Sequence, residues 1–204
     1  MNIYLLRHGE TDWNHVGRLQ GHTDIPLNEC GREQMGHVAE VLAGLSEQID
    51  VIISSPLLRA LESAEIVAAR LAYAKENIMV EPMLIERCFG GGEGLTVSER
   101  NEKYPDGILP GKEPLEDLLS RARTVFEKVV TTYQDKENIL LAGHGSILYA
   151  VVTAVTDGRI EYGGKKVTFD QGSIYRIRCA DGILQLERYS EEETGFKEVI
   201  QIEK

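Results

Sequence analysis

The chain has 204 residues, of which 42% are hydrophobic, and this is enough for one compact domain with its own core. Its formal net charge of −11 disfavours binding to nucleic acid or to an anionic membrane surface, so a local cluster of cations must hold any anionic ligand. The three cysteines lie far apart, and there is neither a signal-peptide pattern nor an apolar run of about 20 residues. These features predict a cytoplasmic protein without a disulfide framework or a zinc site.

The chain begins with an apolar run, residues 3–6, which predicts a buried strand because no polar residue interrupts it. Arg7 and His8 follow this strand directly. The polar, glycine-containing residues 10–26 are predicted to form an ordered loop, and Asn28 suits the N-cap of the first helix.

The middle of the chain repeats this order of strand and helix. Residues 51–53 predict a second strand, and Ser55 and Pro56 suit the N-cap and the first position of the helix that follows. A third strand is predicted at residues 78–80. The glycine-rich residues 84–95 are predicted to be irregular.

The second half adds a long helix, a buried strand, a central helix and a hairpin. The predicted elements are a helix from Leu115, a strand at 139–142, a helix at 147–155 and two alternating strands at 173–178 and 184–189. The two last strands are predicted to join at Asp181-Gly182. Residues 191–204 are acidic and are predicted to form a peripheral tail.

Alternating strands and helices predict the α/β class, with a doubly wound, three-layer α/β/α arrangement and a mostly parallel sheet in a single domain, residues 1–204. The carboxyl ends of parallel strands share one edge, so Arg7, His8, Arg59 and His144 are expected to converge there. Arginine offers a planar fork of donors that matches phosphate oxygens. Neutral imidazole can attack phosphorus and form a covalent phosphohistidine, while a second histidine can stabilise the charge of the transition state.

A leaving alkoxide also needs a proton, and two carboxylates in the glycine-rich segment could supply it. Glu86 and Glu93 are both candidates at this point. A carboxylic acid that works near neutral pH needs a raised pKa, and burial beside a phosphate dianion would provide this.

Five motifs stand in order along the chain: RHGETDWN at 7–14, GHTDIPL at 21–27, SSPLLRA at 54–60, LIERCFG at 84–90 with Glu93-Gly94, and GHG at 143–145. Together they resemble the motifs of the histidine phosphatase superfamily, whose fold is also called phosphoglycerate mutase-like. The resemblance spans residues 3 to about 178. Five motifs in the same order make a chance match improbable.

The resemblance implies a role for each matched position. It implies that His8 is the phosphorylated nucleophile and that Glu86 is the proton donor. The implied phosphate or substrate contacts are Arg7, Asn14, Gln20, Gly21, Arg59, His144, Gly145 and Ser146. It also implies a small phosphorylated metabolite as the substrate, and neither a metal nor another cofactor. No particular oligomeric state is predicted.

The segment after Glu86 favours the phosphatases of the family over its mutases. Val97 stands where the mutases have a substrate-binding lysine, and residues 101–116 contain no Arg-Arg pair. The chain thus resembles the small phosphatases, among them broad-specificity, α-ribazole and metal-independent phosphoserine phosphatases. The alternatives are a cofactor-dependent phosphoglycerate mutase and a non-catalytic regulator that binds a phosphorylated ligand. Gly92 replaces a tryptophan that is frequent in the family, a change expected to widen the mouth or loosen the loop that carries Glu86.

Overall fold

A sheet of seven strands lies at the centre of the computed structural model, which describes residues 1–158, 161–162, 165–180, 183–190 and 194–203. The strands of this sheet are β1 (Asn2–Arg7), β2 (Val51–Ser54), β3 (Met79–Val80), β4 (Asn138–Gly143), β7 (Ile174–Ala180), β8 (Ile183–Ser190) and β9 (Gly195–Glu203). Two short strands, β5 (Glu161–Tyr162) and β6 (Lys165–Lys166), pair separately. The sheet order is β3-β2-β4-β1-β7-β8-β9.

Most strands of the sheet point in the same direction. The neighbours β3, β2, β4 and β1 are parallel to one another. Strands β7, β8 and β9 continue from β1 with antiparallel pairings, so that within the described residues only β7 and β9 run against the rest. The predicted mostly parallel sheet is therefore confirmed.

Helices cover both faces of the sheet, as the predicted three-layer α/β/α class requires. The helices are α1 (Asp12–His15), α2 (Glu29–Ala43), α3 (Leu58–Arg70), α4 (Val97–Lys103), α5 (Leu115–Thr132) and α6 (Gly145–Val155). Alternate side chains of a strand point to opposite faces, so Ile3 and Leu5 of β1 join the core beneath α5 and α6. Tyr4 and Leu6 join the second core, beneath α2 and α3. None of the described helices combines the length and the apolar character that a bilayer crossing needs.

The parallel strands end at nearly the same level, and this brings distant residues together. Arg7 is opposite Gly143 in the register of β1 and β4, and the backbone N–H of His8 donates to the Gly143 carbonyl over 3.1 Å. On the other side of β4, the N–H of Ser55 donates to the Ala142 carbonyl over 2.9 Å. The ends of β1, β4 and β2 therefore form one continuous edge.

The start of helix α2 agrees with the sequence prediction, and the start of helix α3 does not. Asn28 caps α2 as predicted, because its side chain accepts a hydrogen bond from the Gly31 N–H. The prediction that Ser55 and Pro56 begin the next helix was wrong: α3 begins at Leu58 and has no side-chain cap. The Ser55 hydroxyl is engaged elsewhere, at the sheet edge.

The C-terminal hairpin is confirmed, and the predicted tail proves to contain a strand. Strands β7 and β8 pair in antiparallel register, while their predicted turn at Asp181-Gly182 lies outside the described residues. Residues 195–203 of the predicted tail form β9, which pairs with β8 along the edge of the sheet. The acidic composition concealed this strand, because one face of an edge strand stays in contact with solvent.

Candidate active site

His8 lies at the end of β1 and is almost fully buried, with 3% of its surface exposed. Its Nδ1 is 2.7 Å from the carbonyl oxygen of Gly9. A carbonyl can only accept, so Nδ1 carries the proton and Nε2 keeps its lone pair. Burial, reinforced by the positive charges of Arg59 and Arg7, holds the pKa of His8 well below its usual value. The imidazole is therefore neutral at physiological pH, as a nucleophile must be.

Arg7 precedes His8 and has an unused hydrogen-bond donor beside it. One terminal nitrogen, Nη1, donates to the carbonyl of Phe169. The Nε atom is buried and has no hydrogen-bond partner among the described residues. A methyl group on Gly145 would lie 3.5 Å from the guanidinium carbon, so the absence of a side chain there keeps this space open. Burial lowers the pKa of Arg7, which remains a cation near neutral pH.

Arg59 reaches the same edge from the first turn of α3 and is 1% exposed. Its Nε–H donates to Nδ1 of His144 over 3.2 Å, and its terminal nitrogens donate to the carbonyls of Thr23 (3.0 Å) and Gly21 (2.8 Å). Three of its five N–H groups are thus fixed by the protein, and one on each terminal nitrogen remains. Burial lowers the pKa of Arg59 to about 10.

The two guanidinium groups have no direct ion-pair partner among the described residues, and the charge of Glu86 acts on both only from a greater distance. Neither Arg7 nor Arg59 forms an ion pair with any described residue. Removing a cation from water without a partner costs several kcal/mol, on the order of the desolvation penalty of a buried ion. An anionic ligand between the two groups would recover this energy, so the geometry indicates an anion site next to His8.

His144, predicted to contact the phosphoryl group, is fully buried behind Arg59 and is not among the side chains that line the cleft. Its ring centroid is 5.1 Å from that of His8. Because Nδ1 accepts from Arg59, the neutral ring carries its proton on Nε2, which is 2.7 Å from the hydroxyl oxygen of Ser55. Burial, with the charge of Arg59, lowers the pKa of His144 as well. In this structure both ring nitrogens help to position Arg59 and Ser55.

The buried histidines predict that the protein loses stability on acidification. The pKa values of His8 and His144 are lower in the folded chain than in the unfolded one, so below pH 6.5 the unfolded chain binds more protons. Their contribution is complete above that pH and declines as the pH falls. Each histidine should remove about 1.4 kcal/mol of unfolding free energy per pH unit. Urea unfolding between pH 7.5 and 5 measures this, and a slope that His8→Asn leaves unchanged would contradict it.

Glu86 lines the same cleft as His8 and is 9% exposed. Its carboxylate accepts hydrogen bonds from the backbone N–H groups of Arg87 (2.8 Å), Ser146 (3.2 Å) and Ile147 (3.2 Å). The carboxylate therefore rests on the N-terminus of α6. The Ser146 N–H, predicted to face a phosphate, is used by Glu86 in this structure.

Glu93, the alternative proton donor, serves as a clamp between two loops and does not line the cleft. It accepts hydrogen bonds from the N–H groups of His22 and Phe89 and from the N–H and hydroxyl of Thr23, at 2.7 to 3.1 Å. Burial pushes the pKa of Glu93 upward, but these hydrogen bonds outweigh it and the net pKa is lowered. Because Glu86 lines the cleft and Glu93 does not, Glu86 is the better candidate for the acid.

Gly21, predicted to line the substrate mouth, acts instead through its backbone. Its carbonyl accepts from Arg59, its φ is +59°, and a methyl group would lie 2.1 Å from Oε1 of Glu93. Gly21→Ala should therefore open the clamp and lower kcat/KM by about 10-fold or more, since small misplacements of binding groups are costly. Gly17→Ala is the matched control, because Gly17 has a φ of +70° but open space around it. Equal activity losses in both variants would show that backbone strain alone is responsible.

The cleft has a volume of about 490 Å³ and contains polar groups that the sequence only partly predicted. Asn14 lines it, although its Oδ1 accepts from the N–H and hydroxyl of Thr11 in a capping box. Gln20 also lines it, and its Oε1 is buried without a hydrogen-bond partner among the described residues. Arg18 and Arg87 add two further cations that the prediction missed. The position of Arg87, next to Glu86, was a signal for one of them.

Apolar side chains complete the cleft, and none of them had been predicted. They are Leu19, Phe89, Leu115, Leu118, Tyr149, Val167 and Phe169. Gly92 does not leave a gap, because a methyl group there would lie 2.6 Å from Leu109. Val97 is 58% exposed and is not part of the lining. Within the described part of the chain, no cluster of three or more histidine, cysteine, aspartate or glutamate side chains could hold a metal ion.

Comparisons with known proteins place this arrangement in one family. The sequence profile of the histidine phosphatase superfamily (branch 1) matches residues 3–192, and the chain belongs to this family. It is 38% identical over 156 residues to the uncharacterized phosphatase PhoE of Bacillus subtilis, covering 76% of this chain and 78% of the relative. A metal-independent phosphoserine phosphatase of Arabidopsis thaliana is 34% identical, with 76% and 68% coverage. Mycobacterial glucosyl-3-phosphoglycerate phosphatase in complex with VO3 superposes with a TM-score of 0.77 at 25% identity, covering 92% of this chain and 96% of the other.

Proposed function

We propose that the protein is a metal-independent phosphatase that hydrolyses small phosphomonoesters through a phosphohistidine on His8. One observation carries this proposal: a neutral imidazole lies beside two guanidinium groups, those of Arg7 and Arg59, that form no ion pair with any described residue. Two arginine cations supply the positive charge that a phosphoryl group needs, so the proposal requires no metal.

In the first step, the Nε2 lone pair of His8 forms a bond to phosphorus while the bond from phosphorus to the ester oxygen breaks. Arg7 and Arg59 donate hydrogen bonds to the phosphoryl oxygens. Glu86 enters this step protonated and transfers its proton to the departing alkoxide. In the second step, Glu86 takes a proton from water, whose oxygen attacks phosphorus and releases inorganic phosphate and neutral His8.

The lining of the cleft supports a substrate of metabolite size. The apolar side chains could contact the carbon skeleton of the alcohol. Arg18, which also pairs with Glu99, and Arg87, which donates through Nε and Nη2 to the Glu113 carbonyl, could hold a second acidic group with their remaining donors. An amino-acid phosphate such as phosphoserine and a nucleoside-like phosphate such as α-ribazole phosphate both have this size. Phosphoserine has the added support of the plant relative that is named for it. We place the reaction in the cytoplasm, where the exposed thiol of Cys30 would stay reduced.

Arg18 and Arg87 also favour a second candidate function, that of a phosphoglycerate mutase, because its intermediate carries more than one acidic group. The two functions differ in their products. A phosphatase releases inorganic phosphate from 3-phosphoglycerate, whereas a mutase yields 2-phosphoglycerate at a rate that 2,3-bisphosphoglycerate stimulates. Phosphate release without isomerisation would exclude the mutase.

Trapping the covalent intermediate tests the proposed mechanism. The enzyme is mixed with 4-nitrophenyl phosphate in the presence of EDTA and quenched in alkaline detergent, which preserves phosphohistidine. Mass spectrometry of the peptides should then locate one phosphoryl group on His8. Inorganic phosphate that binds while no phosphopeptide forms would favour the non-catalytic regulator, and activity that EDTA abolishes would contradict metal independence.

A further inference from the structure

Arg121, on helix α5, uses three of its five hydrogen-bond donors to hold the segment that carries Glu86 and the other two to bind Glu113. Its Nη1 donates to the carbonyls of Met83 and Ile85, both over 2.7 Å, and its Nη2 donates to the carbonyl of Glu86 over 3.1 Å. Nε and Nη2 also bind the two carboxylate oxygens of Glu113, over 2.6 and 2.9 Å. These five hydrogen bonds correspond to the five N–H groups of a guanidinium.

Glu113 extends the same network to the other flank of Glu86. Its carboxylate accepts from the N–H of Cys88 over 3.3 Å, and its carbonyl accepts from the guanidinium of Arg87 over 2.7 and 2.9 Å. The side chains of Arg121 and Glu113 are only 16% and 15% exposed, so solvent screens this ion pair weakly. Residues 83–88 are thereby fastened to α5 on both sides of Glu86.

This segment has little regular structure of its own to hold it in place. A single 3₁₀ turn, Pro82–Leu84, precedes Glu86, and the next described turn, Gly90–Gly92, follows it. Among the described residues, the only other side chain that contacts the backbone carbonyl of Glu86 is that of His22, which is exposed and whose Nε2 is 2.8 Å away. Arg121 is the partly buried group that fixes where the Glu86 backbone lies relative to α5.

We propose that Arg121 is a positioning residue for proton transfer, acting through Glu86 and never touching the substrate. This inference rests on the proposed function, since it assumes that Glu86 is the acid. A general acid must be held within a fraction of an ångström of the atom it protonates, so loosening the segment weakens the proton transfer first. Lysine cannot replace the arginine, because its ammonium is a point donor that cannot span Met83, Ile85 and Glu113 at once.

The test compares substrates with different leaving groups, because only a poor leaving group needs a proton from the general acid. Arg121→Lys and Arg121→Met should lower kcat/KM for alkyl phosphates by about 30-fold and for 2,4-dinitrophenyl phosphate by less than about 3-fold. If Arg121 had a purely structural role, its replacement would lower kcat/KM for both substrates by the same factor. Arg123→Met is the matched control, since Arg123 is two residues away and exposed on α5, and it should change neither rate. Equal losses for the two substrates, or no loss for either, would overturn the proposal.

A double variant shows whether Arg121 acts through Glu86. In the Glu86→Gln variant the acid is already lost. Adding Arg121→Lys should therefore lower kcat/KM for phenyl phosphate by less than about 2-fold. A full additional loss would overturn the proposal. The substitution to lysine retains the charge, which keeps the comparison possible even where Arg121→Met does not fold. Failure of the proposed function would give a different result. Glu86→Gln alone would then lower kcat/KM by the same factor for substrates with good and with poor leaving groups.

Discussion

Replacement of His8 by alanine should lower kcat for 4-nitrophenyl phosphate by about 10⁴-fold or more and leave no trapped phosphoenzyme. The reason is that His8 alone combines a position at the cleft with a lone pair on Nε2, since its Nδ1–H is committed to the Gly9 carbonyl. The fold should persist, because the neutral side chain makes only that one hydrogen bond with the described residues. Thermal unfolding of the variant verifies this point.

His15 provides the control for this experiment. It is the last residue of the short helix α1, a few residues after His8, and its side chain is 72% exposed. His15→Ala should retain wild-type kcat. If His8→Ala kept more than about one hundredth of the wild-type rate with a phosphoenzyme still present, another residue would be the nucleophile, and His144, with its ring centroid 5.1 Å away, would be the first to examine.

The strands and the convergence of their ends were predictable from local patterns. Uninterrupted apolar runs followed by Arg7-His8 and by Gly143-His144 mark two strand ends, and a parallel sheet must place such ends on one edge. Register then follows from alternation: a shift of one residue would exchange Ile3 and Tyr4 between the two cores. These parts of the fold are specified by repeated, short-range physical constraints.

The details of the irregular segments were not predictable in the same way. Local pattern alone did not separate Glu86 from Glu93, although the family resemblance selected Glu86, because the distinction depends on which carboxylate contacts Thr23 and which contacts the end of α6. Arg121 was missed because a cation at the border of an apolar helix face resembles an ordinary exposed one. The Ser55-Pro56 pattern predicted a helix start, but the Ser55 hydroxyl contacts His144 as well as the Leu57 N–H, and the helix begins only at Leu58. In each case a long-range contact overrode a local preference.

Replacement of Arg59 by methionine should separate phosphate binding from folding. The kcat/KM should fall by about 10³-fold, because the variant loses a charged donor that faces the phosphoryl oxygens. Stability should fall by a few kcal/mol, because the hydrogen bonds that are lost outweigh the charge burial that is relieved. Three hydrogen bonds, to His144, Thr23 and Gly21, are lost at about 1–3 kcal/mol each. Against this, burial lowers the pKa of Arg59 to about 10, which corresponds to about 3 kcal/mol of unfavourable charge burial that the variant no longer bears.

Phosphate itself is the most direct probe of this separation. An anion that binds only the folded state raises the unfolding free energy by RT ln(1 + [L]/Kd), so wild-type protein should gain about 2.7 kcal/mol at a hundredfold excess of phosphate over Kd. Arg59→Met should gain almost nothing at the same concentration. Arg70→Met is the matched control on the same helix, since Arg70 pairs with the exposed Glu40 and is far from the sheet edge. If phosphate stabilised Arg59→Met as strongly as the wild type, the uncompensated cations would not be the anion site, and the assignment of Arg59 would have to be abandoned.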